Sequence, residues 1–116
     1  MGLDQYATFR EKTGEADFYW RKHSRLQEFM EDIWYNKLGR ADEFNCKELV
    51  LTKEMLQELL DALEKNNLPK SDGGFFYGHE FQDESAKEYH NQDIKFCKEG
   101  LKAIEDGMEV VYECWY

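Results

Sequence analysis

The chain runs as a series of short apolar rhythms separated by breaks rich in glycine, asparagine and proline. Residues 3–11, LDQYATFRE, alternate weakly and carry Tyr, Thr and Phe, side chains that suit a half-buried pleated surface. They predict a strand, and EKTGEA predicts the turn after it. From about Glu15 to Leu38 the period changes. Tyr19, Leu26, Met30 and Ile33 recur at helical spacing, Phe29 flanks them, and Gly39 suits the stop.

ADEFNC then reads as a loop and KELVLT as a short strand. Thr52 is a good N-cap for a helix over about 53–66, whose Leu56, Leu59, Leu60 and Leu63 form a clear apolar stripe. Pro69 and the glycines of NNLPKSDGG block its extension. GGFFYG reads as a loop or short strand. Ser85 and Glu88 have capping-box spacing, so a third helix begins near 83–85. It runs to about Asp106 and is expected to bury His90, Ile94, Cys97, Leu101 and Ile104, with Gly107 as its punctuation. The tail MEVVYECWY alternates again, with Met108, Val110, Tyr112 and Cys114 on one face. The elements predict an α+β fold in one domain, 1–116: a small, mainly antiparallel sheet with the N- and C-terminal strands paired and three helices packed over it.

Composition changes this picture little. At 116 residues the chain can bury roughly two thirds of its unfolded surface without disulfide or metal. No run approaches the roughly 20 apolar residues of a membrane helix. MGLDQYATFR lacks the regions of a secretory signal, and Tyr6 stands where myristoylation requires Ser or Thr. A soluble, cytoplasmic protein without membrane partners is expected. Cys46, Cys97 and Cys114 are odd in number and widely spaced, which fits reduced thiols, with Cys97 and Cys114 in the core. No short-spaced Cys or His pairs suggest zinc, and no metal or cofactor is expected.

Charge adds more. The net charge is −10, from 15 basic and 25 acidic residues. The first 40 residues are neutral and hold all four arginines; the remainder carries the whole acidic excess. An acidic surface repels phosphates, so general nucleic-acid binding is not expected. The same surface attracts basic protein surfaces, or simply serves solubility.

Against that acidity, DFYWRKHSRL at 17–26 gathers rings and cations. On the predicted helix Lys22 lies about 40° and His23 about 60° from Leu26, on opposite sides of the buried stripe, with Trp20 near 120°. Cations at a helix N-terminus gain nothing from its dipole, so a carboxylate or an anionic ligand should compensate them. One reading is that Lys22 snorkels and His23 is a satisfied boundary residue. The other is a ligand site. Lys22, His23 and Arg25 would meet a phosphate; Trp20, Phe75, Phe76 and Tyr77 would meet a base or sugar; Asn45 would meet a base edge. Core packing of Phe75–Tyr77 and turn chemistry for Asn45 stand beside that reading. No nucleophile elbow or dinucleotide fingerprint appears, and His23, His90 and Cys46 form a Cys/His pair only if the fold joins them. An enzyme is not expected.

In order along the chain stand MGLDQY, the YWRK of Tyr19–Lys22, Asn45-Cys46, the leucines 56–63, Leu68-Pro69, the Gly-Phe-Phe-Tyr of 74–77 and the aromatic end Tyr112–Trp115. In these marks the chain resembles small accessory proteins of tailed bacteriophages. The ending YECWY departs from that pattern, where small polar residues precede the Trp. Members of that group sometimes carry a phosphoglycerate kinase label. A chain this short, without a G-x-x-x-x-G-K-[ST] loop, does not support it. The resemblance implies a phage-type accessory role, with anti-defence action in an infected cell as one form. The expected function is therefore non-enzymatic sequestration of a small anionic, nucleotide-like ligand. The alternative is inhibition of a host protein through the acidic surface; a homo-oligomer is also left open. The two differ in where the rings and cations go. If the cluster lines a cavity, sequestration gains; if it is packed shut and an acidic or apolar surface stays open, the inhibitor gains.

Overall fold

The structure, a computed structural model, describes residues 3–10, 17–69 and 82–116. Four strands form one antiparallel sheet: β1 (Asp4–Phe9), β2 (Phe18–Arg21), β3 (Glu48–Leu51) and β4 (Val110–Trp115), in the order β2-β1-β4-β3. Three helices accompany it: α1 (Ser24–Glu31), α2 (Lys53–Glu64) and α3 (Gln82–Glu105). The α+β class and the pairing of the first strand with the last are as the sequence predicts. The predicted EKTGEA turn and GGFFYG segment lie outside the described residues.

The helix predicted from Glu15 does not begin there. Phe18–Arg21 is a strand, paired with β1 through Tyr19↔Tyr6 and Trp20↔Gln5. Its burial alternates, with Phe18 and Trp20 inward and Tyr19 and Arg21 outward. Lys22 breaks the strand with a left-handed backbone, φ 56°, and its N–H donates to the Leu3 carbonyl at 2.8 Å. Only from Ser24 does the chain turn helical, burying Leu26 and Met30. Past Glu31 the helix widens into a π-helical segment, Asp32–Lys37, with Leu38 N–H donating to the Ile33 carbonyl. Two successive large side chains, Ile33 and Trp34, are thereby both buried. Gly39 follows at φ +65°, as its predicted place at the stop requires.

The second helix follows the sequence reading closely. The Thr52 hydroxyl accepts the Met55 N–H at 3.2 Å, and Leu56, Leu59, Leu60 and Leu63 are buried. Asn66, at φ 52°, closes its C-terminus: Asn67 N–H reaches the Ala62 carbonyl and Asn66 N–H the Leu63 carbonyl, a Schellman pair. Gly107 closes α3 in the same way.

The buried line of α3 differs from the predicted one. Asp93, Phe96, Cys97, Gly100 and Ala103 are buried, whereas His90, Ile94, Leu101 and Ile104 are only partly so. The reason is close approach. A Cβ at Gly100 would stand 3.0 Å from Leu56 Cδ1 and 3.6 Å from Val110 Cγ2, so the small residues let α3 lie between α2 and the sheet.

Register assigns the two faces of the sheet. Trp20, Gln5 and Cys114 form one row of the inner face, Phe18, Ala7, Tyr112 and Leu49 the next, and Phe9, Val110 and Leu51 the third. All are buried under the helices. The other face carries Tyr19 and Arg21, Asp4, Tyr6 and Thr8, Val111, Glu113 and Trp115, Glu48 and Val50.

Candidate functional site

The rings and cations of residues 17–26 separate on folding, because a strand sends neighbours to opposite faces. Trp20 and His23 go inside. The Trp20 indole N–H donates to Asp93 Oδ1 at 2.7 Å, and His23 Nε2 lies 2.6 Å from Asp93 Oδ2. The Trp20 ring meets Phe96 edge-on at 5.2 Å, and His23 stacks on Tyr89 at 5.3 Å. Lys22 goes outside and is exposed. Asn45 sits in a turn, and its Oδ1 accepts the N–H of the distant Tyr116 at 2.8 Å. Phe75, Phe76 and Tyr77 lie outside the described residues.

The buried polar groups continue as a relay along the inner face. Gln5 Oε1 accepts the His23 N–H at 2.9 Å, and Gln5 Nε2 donates to the His23 carbonyl at 3.1 Å and to the Tyr112 hydroxyl at 2.9 Å. Tyr112 donates in turn to Gln27 Oε1 at 2.6 Å, and Gln27 Nε2 reaches Cys114 Sγ at 3.3 Å. Gln5 thus clamps the backbone where β2 ends and α1 begins. His23 Nδ1 and Ser24 Oγ are buried without a hydrogen-bond partner among the described residues. Burial pushes the Asp93 carboxyl above the usual carboxylate range, against the opposing pull of His23 and Trp20. Both members of the His23–Asp93 pair are fully buried, and the contact ties α3 to the β2–α1 corner. The Cys46 thiol contacts Asn45 Oδ1 at 3.5 Å and bonds to neither His23 nor His90. Among the described residues no group of three or more His, Cys, Asp or Glu is placed to hold a metal ion. No helix of the described residues is long and apolar enough to cross a membrane.

The relay fixes an alkaline limit. Burial holds the Tyr112 hydroxyl well above its ordinary 10.0 and pushes the Cys114 thiol from 9.0 up to about 12. Between these ordinary and raised values the unfolded chain releases protons that the folded chain keeps. The folded state then binds more protons, and stability falls as pH rises through that window. Urea midpoints measured from pH 8 to 11 should fall. Of the seven tyrosines, Tyr112 should ionise only with unfolding, as a cooperative step in tyrosinate absorbance. A smooth titration of all seven without loss of structure would contradict this.

Two open surfaces stand out among the described residues. The first is the outer face of the sheet. Trp115 is 52% exposed, Tyr19 45% and Val50 44%. Tyr6 and Tyr19 pack with centroids 5.2 Å apart, and the Tyr19 hydroxyl donates to Asp4 at 2.7 Å, which raises its pKa to about 12. Arg10, just past β1, pairs with Glu48 at the start of β3, so its side chain crosses β4. Val111, on that same face of β4, is 3% exposed. The other end stays open as a concavity of about 340 Å³ lined by Tyr6, Thr8, Glu113 and Trp115. Among the described residues the Glu113 carboxylate has neither an ion-pair nor a hydrogen-bond partner. The second surface is a cavity of about 320 Å³ lined by Arg25, Leu63, Asn66, Leu68, Ala86, Lys87, His90 and Asn91. Of the described residues that the sequence offers for the ligand site, Arg25 alone lines it; His90, offered only for a Cys/His pair, lines it too.

No sequence pattern marks Tyr6, Glu113, Trp115, Lys87 or Asn91 as a site residue. The signal for the first three was present: once Val110, Tyr112 and Cys114 point inward, Val111, Glu113 and Trp115 must point outward. No family model matches the chain, and no curated protein or solved structure matches it.

Proposed function

We propose that the protein is a non-enzymatic interaction module, an accessory protein of the phage type, that occupies a basic segment of a partner protein with the open face of its sheet. The observation that carries this reading is Trp115, a half-exposed indole on an open strand face beside Tyr6 and the unpaired Glu113. Ring faces are electronegative and a carboxylate adds full charge, so an arginine or lysine side chain is the complementary guest. The net charge of −10 steers such a partner toward the protein. The packing of Trp20 and His23 around Asp93 also favours this reading over sequestration by the cluster around Lys22.

The test uses a short arginine-rich peptide and its glutamate-rich counterpart. Of the three tryptophans only Trp115 is exposed, so its emission and its quenching by acrylamide report on the face directly. The arginine peptide should protect Trp115 from acrylamide, and the glutamate peptide should not. Trp115→Ala and Glu113→Gln should each weaken binding about fivefold. Glu64→Gln, which removes the same charge from the exposed surface of α2, should leave it near the wild-type value. Equal weakening by Glu64→Gln would mean diffuse acidity alone, and an unaffected Trp115→Ala would sink the proposal.

A further inference from the structure

The cavity beside α3 has a chemistry unlike the rest of the molecule. Among the described residues three elements line it: Arg25 from the first turn of α1, Leu63 with Asn66 and Leu68 from the end of α2 and beyond, and one face of α3. On α3, Lys87, His90 and Asn91 recur at helical spacing, so their side chains share a side. Arg25 is held in orientation at the wall, its Nε and Nη2 donating to the Leu68 carbonyl. In a chain with 25 acidic residues, none of the described lining residues is acidic. Among the described residues Lys87 and His90 have no hydrogen-bond or ion-pair partner. Leu63, Leu68 and Ala86 supply an apolar wall.

We infer that this cavity binds a small phosphate-bearing molecule with an apolar or planar body. Polar and cationic residues line it from different elements, Arg25 from α1, Asn66 past α2, and Lys87, His90 and Asn91 from α3, which suits a tetrahedral anion with several free oxygens. Lys87 supplies a point charge and His90 a ring N–H, while Arg25, bound to the Leu68 carbonyl, adds positive charge at the wall. The body of the ligand lies against Leu63 and Leu68. A volume of about 320 Å³ is at the small end of ligand sites, the size of one mononucleotide-like molecule and not of a chain. The site is separate from the open sheet face and does not rest on the reading given to that face.

Thermal shift and calorimetry with three probes test it: AMP, inorganic phosphate and adenosine. AMP should raise the melting temperature by mass action, phosphate should raise it less at equal concentration, and adenosine should leave it unchanged. Lys87→Ala and His90→Gln should each reduce AMP affinity about tenfold, since each removes a charge-assisted or hydrogen-bonded contact. Added salt should weaken AMP binding. Trp115→Ala should bind AMP as the wild type does, which separates failure of this site from failure of the sheet face. The inference is overturned if neither AMP nor phosphate shifts the melting temperature at millimolar concentration. It is equally overturned if adenosine matches AMP, or if Lys87→Ala keeps full affinity.

Discussion

Replacing Asp93 with Ala should cost about 2–6 kcal/mol of folding stability, since it strands two buried hydrogen-bond partners at roughly 1–3 kcal/mol each. Asp93 is fully buried and uses both carboxylate oxygens, one for the Trp20 indole and one for His23. An indole N–H can only donate, so without Asp93 it is left buried and unpaired. Among the described residues His23 Nδ1 already lacks a partner, and the substitution would strand Nε2 as well. The joint so broken ties α3 to the β2–α1 corner, 70 residues away in sequence. Asp93→Asn keeps an acceptor for Trp20 and offers an amide N–H to His23, so it should cost less, about 1–3 kcal/mol. Urea denaturation at neutral pH measures both. If Asp93→Ala stays within about 1 kcal/mol of wild type, the pair contributes little and another contact holds the corner.

That corner also shows where the sequence was legible. In DFYWRKHSRL two periods overlap. Tyr19 fits the helical stripe with Leu26 and Met30, yet Phe18 and Trp20 also alternate with Tyr19 and Arg21. No glycine or proline marks the break, because Lys22 takes the left-handed conformation that glycine usually supplies. No side-chain cap announces α1 either: His23 precedes it and caps nothing. Where punctuation is conventional, as at Thr52, Gly39 and Gly107, the boundaries were readable within a few residues. Pairing of the first strand with the last was readable too, since both alternate and both need a partner.

The candidate site was less legible for a different reason. The cluster at 17–26 reads as one chemical unit because its residues are close in sequence. In a strand followed by a left-handed residue, closeness in sequence separates side chains: Trp20 goes to the core and Lys22 to solvent. The buried Asp93 was hidden by its charge. It belongs to the same helical row as Phe96, Cys97 and Gly100, a row that reads as apolar only if a carboxylate is admitted to it. Lys87, His90 and Asn91 are brought to Arg25 by the crossing of α1, α2 and α3, which no local pattern encodes.

Leu59→Ala should be the second costly change, about 2–5 kcal/mol. Leu59 is completely buried in the stripe that α2 turns toward the core, whereas Leu60, on the edge of that stripe, keeps 8% exposure. The lost transfer free energy is only part of the effect. The remainder is the cavity, and its size depends on whether α2 and α3 can close over it. Gly100 decides that here. Leu56 already stands where a Cβ at Gly100 would be 3.0 Å away, so the two helices have little room left to approach. The void left by Leu59→Ala should therefore persist, which puts the loss in the upper half of the range. Leu60→Ala, whose site can admit water at its edge, should lose less. Gln57→Ala, exposed on the same helix, should stay within about 0.5 kcal/mol and control for helix propensity. Urea midpoints for the three variants give the order. A Leu59→Ala loss below about 1 kcal/mol would mean that α2 relaxes freely and that the Gly100 contact does not fix its distance from α3.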